Sequence, residues 1–352
     1  MGDTGGFIEA RPVISIDGTE NAGLKANITA LLVEETTEGL FRCEATFGNW
    51  GAGGFLYFGR DILDFGKTIG ITIGEGDARA QIFKGRISAI EAHYSKLATP
   101  DLVILAEDRL QDMRMTRRTR SFDNVSDADI MRQIAAGHSL TPDIDIGGAT
   151  HKILAQVNQS DLAFIRERAR AVDAEIWVED TTLHVKKRST RRSGDLTLTY
   201  QRGLSEFSVT ADIAGQRTGL SITGWDISSK SEIKNESTET SISGELNGKR
   251  SGASILQSAF GKRTEQISHF CPSTSNEARV ISESYFCRMA RKFVTGYGTA
   301  DCDGRMRVGV HLELKGLGDL FDGEYYVTQV KHTFNQQDGC RTHFTVERAW
   351  IP

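Results

Sequence analysis

The chain has 352 residues and a mass of 38.7 kDa, is 39% hydrophobic and 25% charged, and carries a net charge of -5. Those values describe an ordinary globular protein with room for two or three cores. They exclude a disordered chain and one drawn to nucleic acid by bulk charge. Met1 is not followed by a basic-then-apolar leader, and no apolar run reaches the roughly 18 residues of a membrane span. The expectation is therefore a chain made, and at first kept, in a cytoplasm.

From Arg11 to Asp108 short apolar or alternating runs are broken by glycine: "PVISI", "ANITALLVEE", "LFRCEATF", "TIGITIG", "AQIFKGRISAIEAHY" and "DLVILAED". Their β-branched content and their spacing predict an antiparallel barrel or sandwich. "GEGD" at 74–77 reads as a hairpin tip, and "NWGAGGFLYFGRD" at 49–61 as a glycine-rich aromatic loop. The basic run "RMTRRTR" (114–120) follows. Next, Ser126 with Asp129 forms a capping pair ahead of Ile130, Ile134 and Ala135 at helical spacing. Leu162, Ile165, Ala169 and Val172 predict a helix starting near Ser160. "AEIWVEDTTLHVKK" reads as a hairpin turning at Glu179-Asp180-Thr181. This small α/β unit closes on a second basic run, "KKRSTRR" (186–192).

Strand texture then resumes with "LTLTY", "LSEFSVTAD" and "GLSITGWD". The Ser/Gly-rich stretch 239–254 reads as an exposed loop. A helix is predicted over about 276–294, with Val280, Phe286, Met289 and Phe293 toward a core, and three strands end the chain. The texture divides the chain into 1–118, 119–192 and 193–352. Core candidates are Ile71, Ile73, Phe83, Val310, Leu312, Phe321 and Val327.

The five cysteines are Cys43, Cys271, Cys287, Cys302 and Cys340. None forms a C-x-x-C pair, so they read first as reduced packing residues, with a disulfide formed after export as the alternative. No nucleophile elbow, zincin, Walker or EF-hand motif is present, so no catalytic, cofactor or metal residue is assigned. Carboxylates from distant positions leave a glycosidase-type pair open.

One phrase occurs twice. "LFDGEYYVTQVKH" (320–332) resembles an active-site run, yet "IFKGRISAIEAHY" (82–94) repeats its form without the acids. "IGITI" lines up with "VGVHL" upstream, and "DLVILAED" with "THFTVERA" downstream. F-x-G falls at Phe83–Gly85 and again at Phe321–Gly323. A duplicated barrel follows. On an extended strand Glu324 and His332 lie roughly 26 Å apart, too far for a shared metal. Asp319 and Asp322 favour a turn at Gly323.

The whole order resembles the late-control protein D family of contractile-tailed phages, and is similar to the hub half of type VI secretion VgrG spike proteins. The carriers are the S-D-L-x-F-I-x-x-x-A helix at 160–169 with its acidic, Trp-bearing hairpin, and the closing F-D-G-x-Y-x-V-T-x-V-x-H phrase. The resemblance spans about residues 10–350. It implies an α+β, mainly β chain with two related antiparallel tube-like β-barrels (1–118 and 193–352), an inserted α/β domain (119–192), and a trimeric ring with pseudo-sixfold symmetry. It implies a baseplate hub rather than an enzyme, without cofactors, joining the hexameric tail tube to the trimeric spike. Expected partners are a second and third copy, a tail tube or tube-initiator protein, a spike and baseplate wedge proteins, with no membrane. Nucleic acid enters only by passage through the channel of a phage. Because the chain stops at Pro352, the spike is expected to be a separate polypeptide. The expected location is a virion tail baseplate or injection particle assembled in a bacterial cytoplasm. The alternatives are a cell-wall hydrolase of the tail and a tube-only or carbohydrate-binding β module.

Candidate partner-interface residues are Trp50 and Phe55 in the aromatic loop, Arg117, Arg118, Arg120, Lys186, Lys187 and Arg188 in the basic runs, and Asp319 and Asp322, with the 239–254 loop beside them. The basic runs read first as a solvated hinge at the two ends of the inserted unit, and otherwise as a docking surface for an acidic partner or a path for nucleic acid. They lack interleaved aromatics for stacking single strands.

Overall fold

The structure is a computed structural model that describes residues 11–227 and 229–352. Its first strands are β1 (Val13–Ile16), β2 (Ile28–Thr36), β3 (Arg42–Gly48), β4 (Thr68–Ile73), β5 (Ala80–His93) and β6 (Asp101–Glu107). They pair in the order β1-β4-β5-β6-β3-β2 around a core that includes Ile14, Val33, Phe47, Ile69, Ile71 and Ile104. Among the described residues β1 does not pair with β2. The short helix Ala22–Asn27 intervenes, with Leu24 fully buried.

An α/β unit follows: β7 (Arg117–Ser126), α1 (Asp127–Gly137), β8 (Thr141–Asp145), β9 (Thr150–Ser160), α2 (Asp161–Ala171), β10 (Ala174–Glu179) and β11 (Thr182–Lys187). Ser126 and Ser160 cap the two helices through Asp129 N–H and Ala163 N–H, and the predicted helix faces are buried. The unit docks where Arg166 donates to the carbonyls of Glu38 and Gly39 (2.7 and 3.0 Å). Gly39, at φ +65°, lies so near Ile176 O that a Cβ would sit 2.6 Å from it.

The last part holds β12 (Gly194–Tyr200), β13 (Gly203–Ala211), β14 (Gly219–Asp226), β15 (Ser231–Ser237), α3 (Gly252–Phe260), β16 (Thr264–Ile267), α4 (Ser275–Arg291), β17 (Val294–Asp301), β18 (Val310–Lys315), β19 (Gly323–Asn335) and β20 (Gly339–Arg348). Strands β12-β18-β19-β20-β17-β13 form a closed barrel, β13 returning to β12 through two residue pairs. Residues 219–291 are a second α/β insertion with its own core. The stretch 239–254 is therefore not an open loop. Glu239–Glu245 is a 3-10 helix and Gly252–Phe260 an α-helix; Ile242, Leu246 and Ala253 are buried in one core with α4 and Trp350, and Leu256 is buried as well. Helix α4 matches the predicted span, with its buried face carried by Ala278, Ile281, Phe286 and Ala290 rather than by Val280 and Met289.

The two strand orders are the same, and five strands correspond pair for pair: β4, β5, β6, β3 and β2 with β18, β19, β20, β17 and β13. Bulges fix the register. Ser88 bulges β5 against β6 as Thr328 bulges β19 against β20, and Thr29 bulges β2 against β3 as Ser205 bulges β13 against β17. The hydroxyls of Ser88, Thr328 and Thr29 each donate to a facing carbonyl, those of Leu105, Thr345 and Thr46 (3.2–3.3 Å). This register places Phe83 on Gly323, not on Phe321. The F-x-G match is thus offset by two residues, "IGITI" falls on residues 312–316, and "DLVILAED" begins on Arg341. The sixth strand differs: β1 runs antiparallel to β4, whereas β12 runs parallel to β18.

Candidate functional site

The conspicuous ionisable groups lie between elements, some inside one unit and some where units meet. Arg291 on α4 is buried between Asp173 (2.7 and 2.6 Å) and Glu245 (2.8 and 2.7 Å), tying both insertions together. Burial works against its charge, but the two carboxylates hold its pKa well above the ordinary arginine value. Glu175 on β10 accepts from Arg188, Arg191 and the Tyr326 hydroxyl (3.2, 2.9 and 2.7 Å). Asp161 holds Arg118, Arg120 and His138 (3.2, 2.7 and 2.9 Å), and Asp127 holds Arg168 and His151. Burial pushes the Asp108 carboxyl up to about 7, against the pull of the Phe41 and Leu110 amides that donate to it. The ion-paired clusters act as clamps between elements, since each charge in them is neutralised by its neighbours, while Asp108 is held by backbone amides alone.

A surface groove of about 380 Å³ over β2, β3, β5 and β6 carries Glu34, Glu44 and Glu107. Arg42 binds Glu34 at 2.8 Å, and Arg114 binds Glu107. Burial alone would raise the Glu34 carboxyl, but Lys331, Gln329 and Arg42 hold it below the usual glutamate value. Among the described residues no group of three His, Cys, Asp or Glu side chains is placed to hold a metal.

The predicted interface residues separate into different places. Trp50 and Phe55 are exposed and pack edge to face (5.2 Å) on a short hairpin, in a patch completed by Phe58 and Tyr94. Arg117 is exposed on β7, while Arg118 and Arg120 bind Asp161. Lys186 pairs with Asp143 (2.8 Å), and Lys187 is exposed on the same strand, β11. The Arg188 side chain is only 10% exposed, held against Glu175 and Glu347, and lies 3.5 Å over the Tyr326 ring. The basic runs thus engage separate carboxylate clusters, and a solvated hinge does not describe Arg188. Asp322 accepts from the amides of Gly316 and Leu317 (3.3 and 2.6 Å), the turn role read from the sequence. Asp319 is exposed in that turn.

Cys302 and Cys340 form a disulfide, which corrects the reading of those two as reduced packing residues. Their pairing needs β20 beside the loop after β17, a neighbourhood the spacing alone does not reveal. Cys43 and Cys287 are buried, and Cys271 is exposed.

The seam between the two repeats is a further feature that the sequence did not reveal. The first residues of β19 pair with β18, but residues 329–335 run past that strand and pair with β2, from Gln329 opposite Thr36 to Asn335 opposite Ala30. One continuous sheet results. His332 is fully buried there, bonded to Thr342 Oγ1 and Met306 O (3.1 Å each), and burial pushes its pKa down to about 3. His332 is a seam residue.

Solved structures place the fold among phage tail and type VI spike-related proteins. The chain superposes on a 43 kDa tail protein of prophage MuSo2 from Shewanella oneidensis with a TM-score of 0.70 at 11% identity, covering 96% of this chain and 98% of that one. A tail protein from Neisseria meningitidis gives 0.67 at 12%, covering 97% of each. An E. coli component of the type VI secretion system, described as similar to bacteriophage T4 tail proteins, gives 0.57 at 11%, covering 96% of this chain and 79% of that one. No curated protein matches the chain by sequence. By family, the chain belongs to the Alg8 N-terminal domain family, whose model matches residues 43–336.

Proposed function

We propose that the chain is the structural baseplate hub of a contractile injection machine, a homotrimer that joins a hexameric tail tube to a trimeric spike. The observation that carries this reading is the five-strand unit present twice in one chain with the same order and two bulges at corresponding places. Three copies would offer six similar units to a sixfold tube and still present threefold symmetry to a spike. The likeness to tail proteins over nearly the whole chain supports it. The units we propose are 1–118, whose first ten residues lie outside the described ones, and 193–352 as tube-like barrels, the second interrupted at 219–291, and 119–192 as the inserted domain. The role is structural rather than enzymatic: the groove carboxylates Glu34 and Glu107 are matched by arginines, and the family's name specifies a domain and no reaction. Tube or tube-initiator, spike and wedge proteins are the partners, and the location is the tail baseplate or its equivalent in an injection particle. Co-expression with the tube and spike proteins encoded beside its gene tests the proposal. Co-purification of both with this chain is expected, and a chain that binds neither overturns it.

A further inference from the structure

The seam inside the chain has two bare counterparts on its surface. In the bulge-fixed register, residues 329–335 of β19 correspond to 89–95, and residues 30–36 of β2 correspond to 206–212. Among the described residues, no strand pairs with β5 beyond Ile87 on the side facing β4. None pairs with β13 beyond Leu204 on the side facing β12. The residue types are nevertheless those of a covered seam. Val330 and Phe334 of the seam become Ile90 and Tyr94, and Leu31 and Val33 become Phe207 and Val209. Phe334 is 1% exposed and Tyr94 67%. Val33 is fully buried, whereas Val209 is only half-buried. An edge of unpaired amides and carbonyls backed by apolar side chains is a template for another strand.

We propose that two copies of this chain join by pairing β5 of one with β13 of the next, antiparallel, in the register of the internal seam. Ile90 then faces Ala211, Glu91 faces Thr210, Ala92 faces Val209, His93 faces Ser208 and Tyr94 faces Phe207. The occupant is a second copy because the chain already makes this contact with itself, β19 on β2, through corresponding positions. The contact is heterologous, so each copy offers one edge of each kind and the pairing repeats until a ring closes. The exposed aromatic patch around Phe55 and Phe58 touches Tyr94 at the end of β5 and continues the surface. The proposal supplies the subunit contact of the trimer proposed above and rests on that reading for the number of copies.

Paired cysteines test it in the full chain, with the exposed Cys271 changed to serine. At tens of micromolar under mild oxidation, Ala92→Cys with Val209→Cys should give a covalent ladder ending at the trimer on a non-reducing gel. Glu91→Cys with Val209→Cys, slipped by one residue onto opposite faces, should give at least tenfold less. Equal cross-linking of the two pairs, or more from the slipped pair, overturns the register. A chain that forms trimers and binds tube and spike without cross-linking at Ala92 and Val209 overturns this contact and leaves the hub reading intact. Cross-linking in register by a chain that binds neither tube nor spike supports the contact and overturns the hub.

Discussion

One strand edge is built twice in this molecule, covered in one place and bare in the other. At the seam β19 lies on β2, and His332 and Phe334 are sealed. At the corresponding β5, Ala92 and Tyr94 stand in solvent. The repeat therefore explains the difference in chemistry that the paired phrases show. The second copy carries a buried histidine because its edge is permanently closed, and the first has no such residue because its edge is open in the single chain. The acids of the second phrase also find ordinary uses: Asp322 organises the turn and Glu324 pairs with His311 (2.8 Å).

The sharpest way to break the comparison is to truncate corresponding residues. Phe334→Ala removes a ring from the sealed seam and should lower stability by about 3–5 kcal/mol in a urea titration. Tyr94→Ala, its counterpart, should change the stability of the dissociated chain by under about 0.5 kcal/mol while weakening self-association at least tenfold. Equal losses of stability would mean that the two edges are not alternatives of one design. Next in size is the Cys302–Cys340 link, whose second residue pairs with Phe334 across β19 and β20. Replacing both cysteines with serine should cost about 2–4 kcal/mol, measured without reductant, and reductant should remove the difference from the parent chain.

A third effect is pH dependence at the seam. His332 titrates near 3 when folded and near 6.5 when unfolded, so the unfolded chain binds the extra proton between those values. Its contribution to stability is full above about 6.5 and falls as the pH drops toward 3. Between pH 6.5 and 5 the loss is roughly 2 kcal/mol at about 1.4 kcal/mol per pH unit. His332→Gln should remove this part of the acid sensitivity, seen as a flatter denaturation midpoint from pH 7 to 5. An unchanged slope would place the sensitivity elsewhere. The smallest effect is expected from Asp319→Asn, an exposed turn substitution that should shift stability by under about 0.5 kcal/mol.

Much of this organisation is legible in the residues. Capping serines at 126 and 160, the helical spacing after each, and the hairpin read as turning at Glu179-Asp180-Thr181 lead to the elements observed, the turn itself being Asp180-Thr181. The duplication is also readable, but its register is not, because a bulge shifts every later side chain and a single serine or threonine announces it only faintly. Three of the four bulges that correspond between the repeats do carry a hydroxyl bonded across the strand, a signal visible only once the facing carbonyls are known. The second insertion was hidden by composition: serines and glycines at 239–254 mask the three apolar residues, Ile242, Leu246 and Ala253, that pack against α4 and Trp350. The seam depends on residues some 300 positions apart, and no local pattern encodes that pairing.

The most direct test of the central claim, that one chain carries two units of a six-unit ring, is native mass spectrometry of the purified chain joined with averaged end-on electron micrographs. We predict a particle of three times the 38.7 kDa chain mass whose end view shows six similar lobes around an open centre. A particle of any other copy number, or a trimer with three unlike pairs of lobes, would contradict the account.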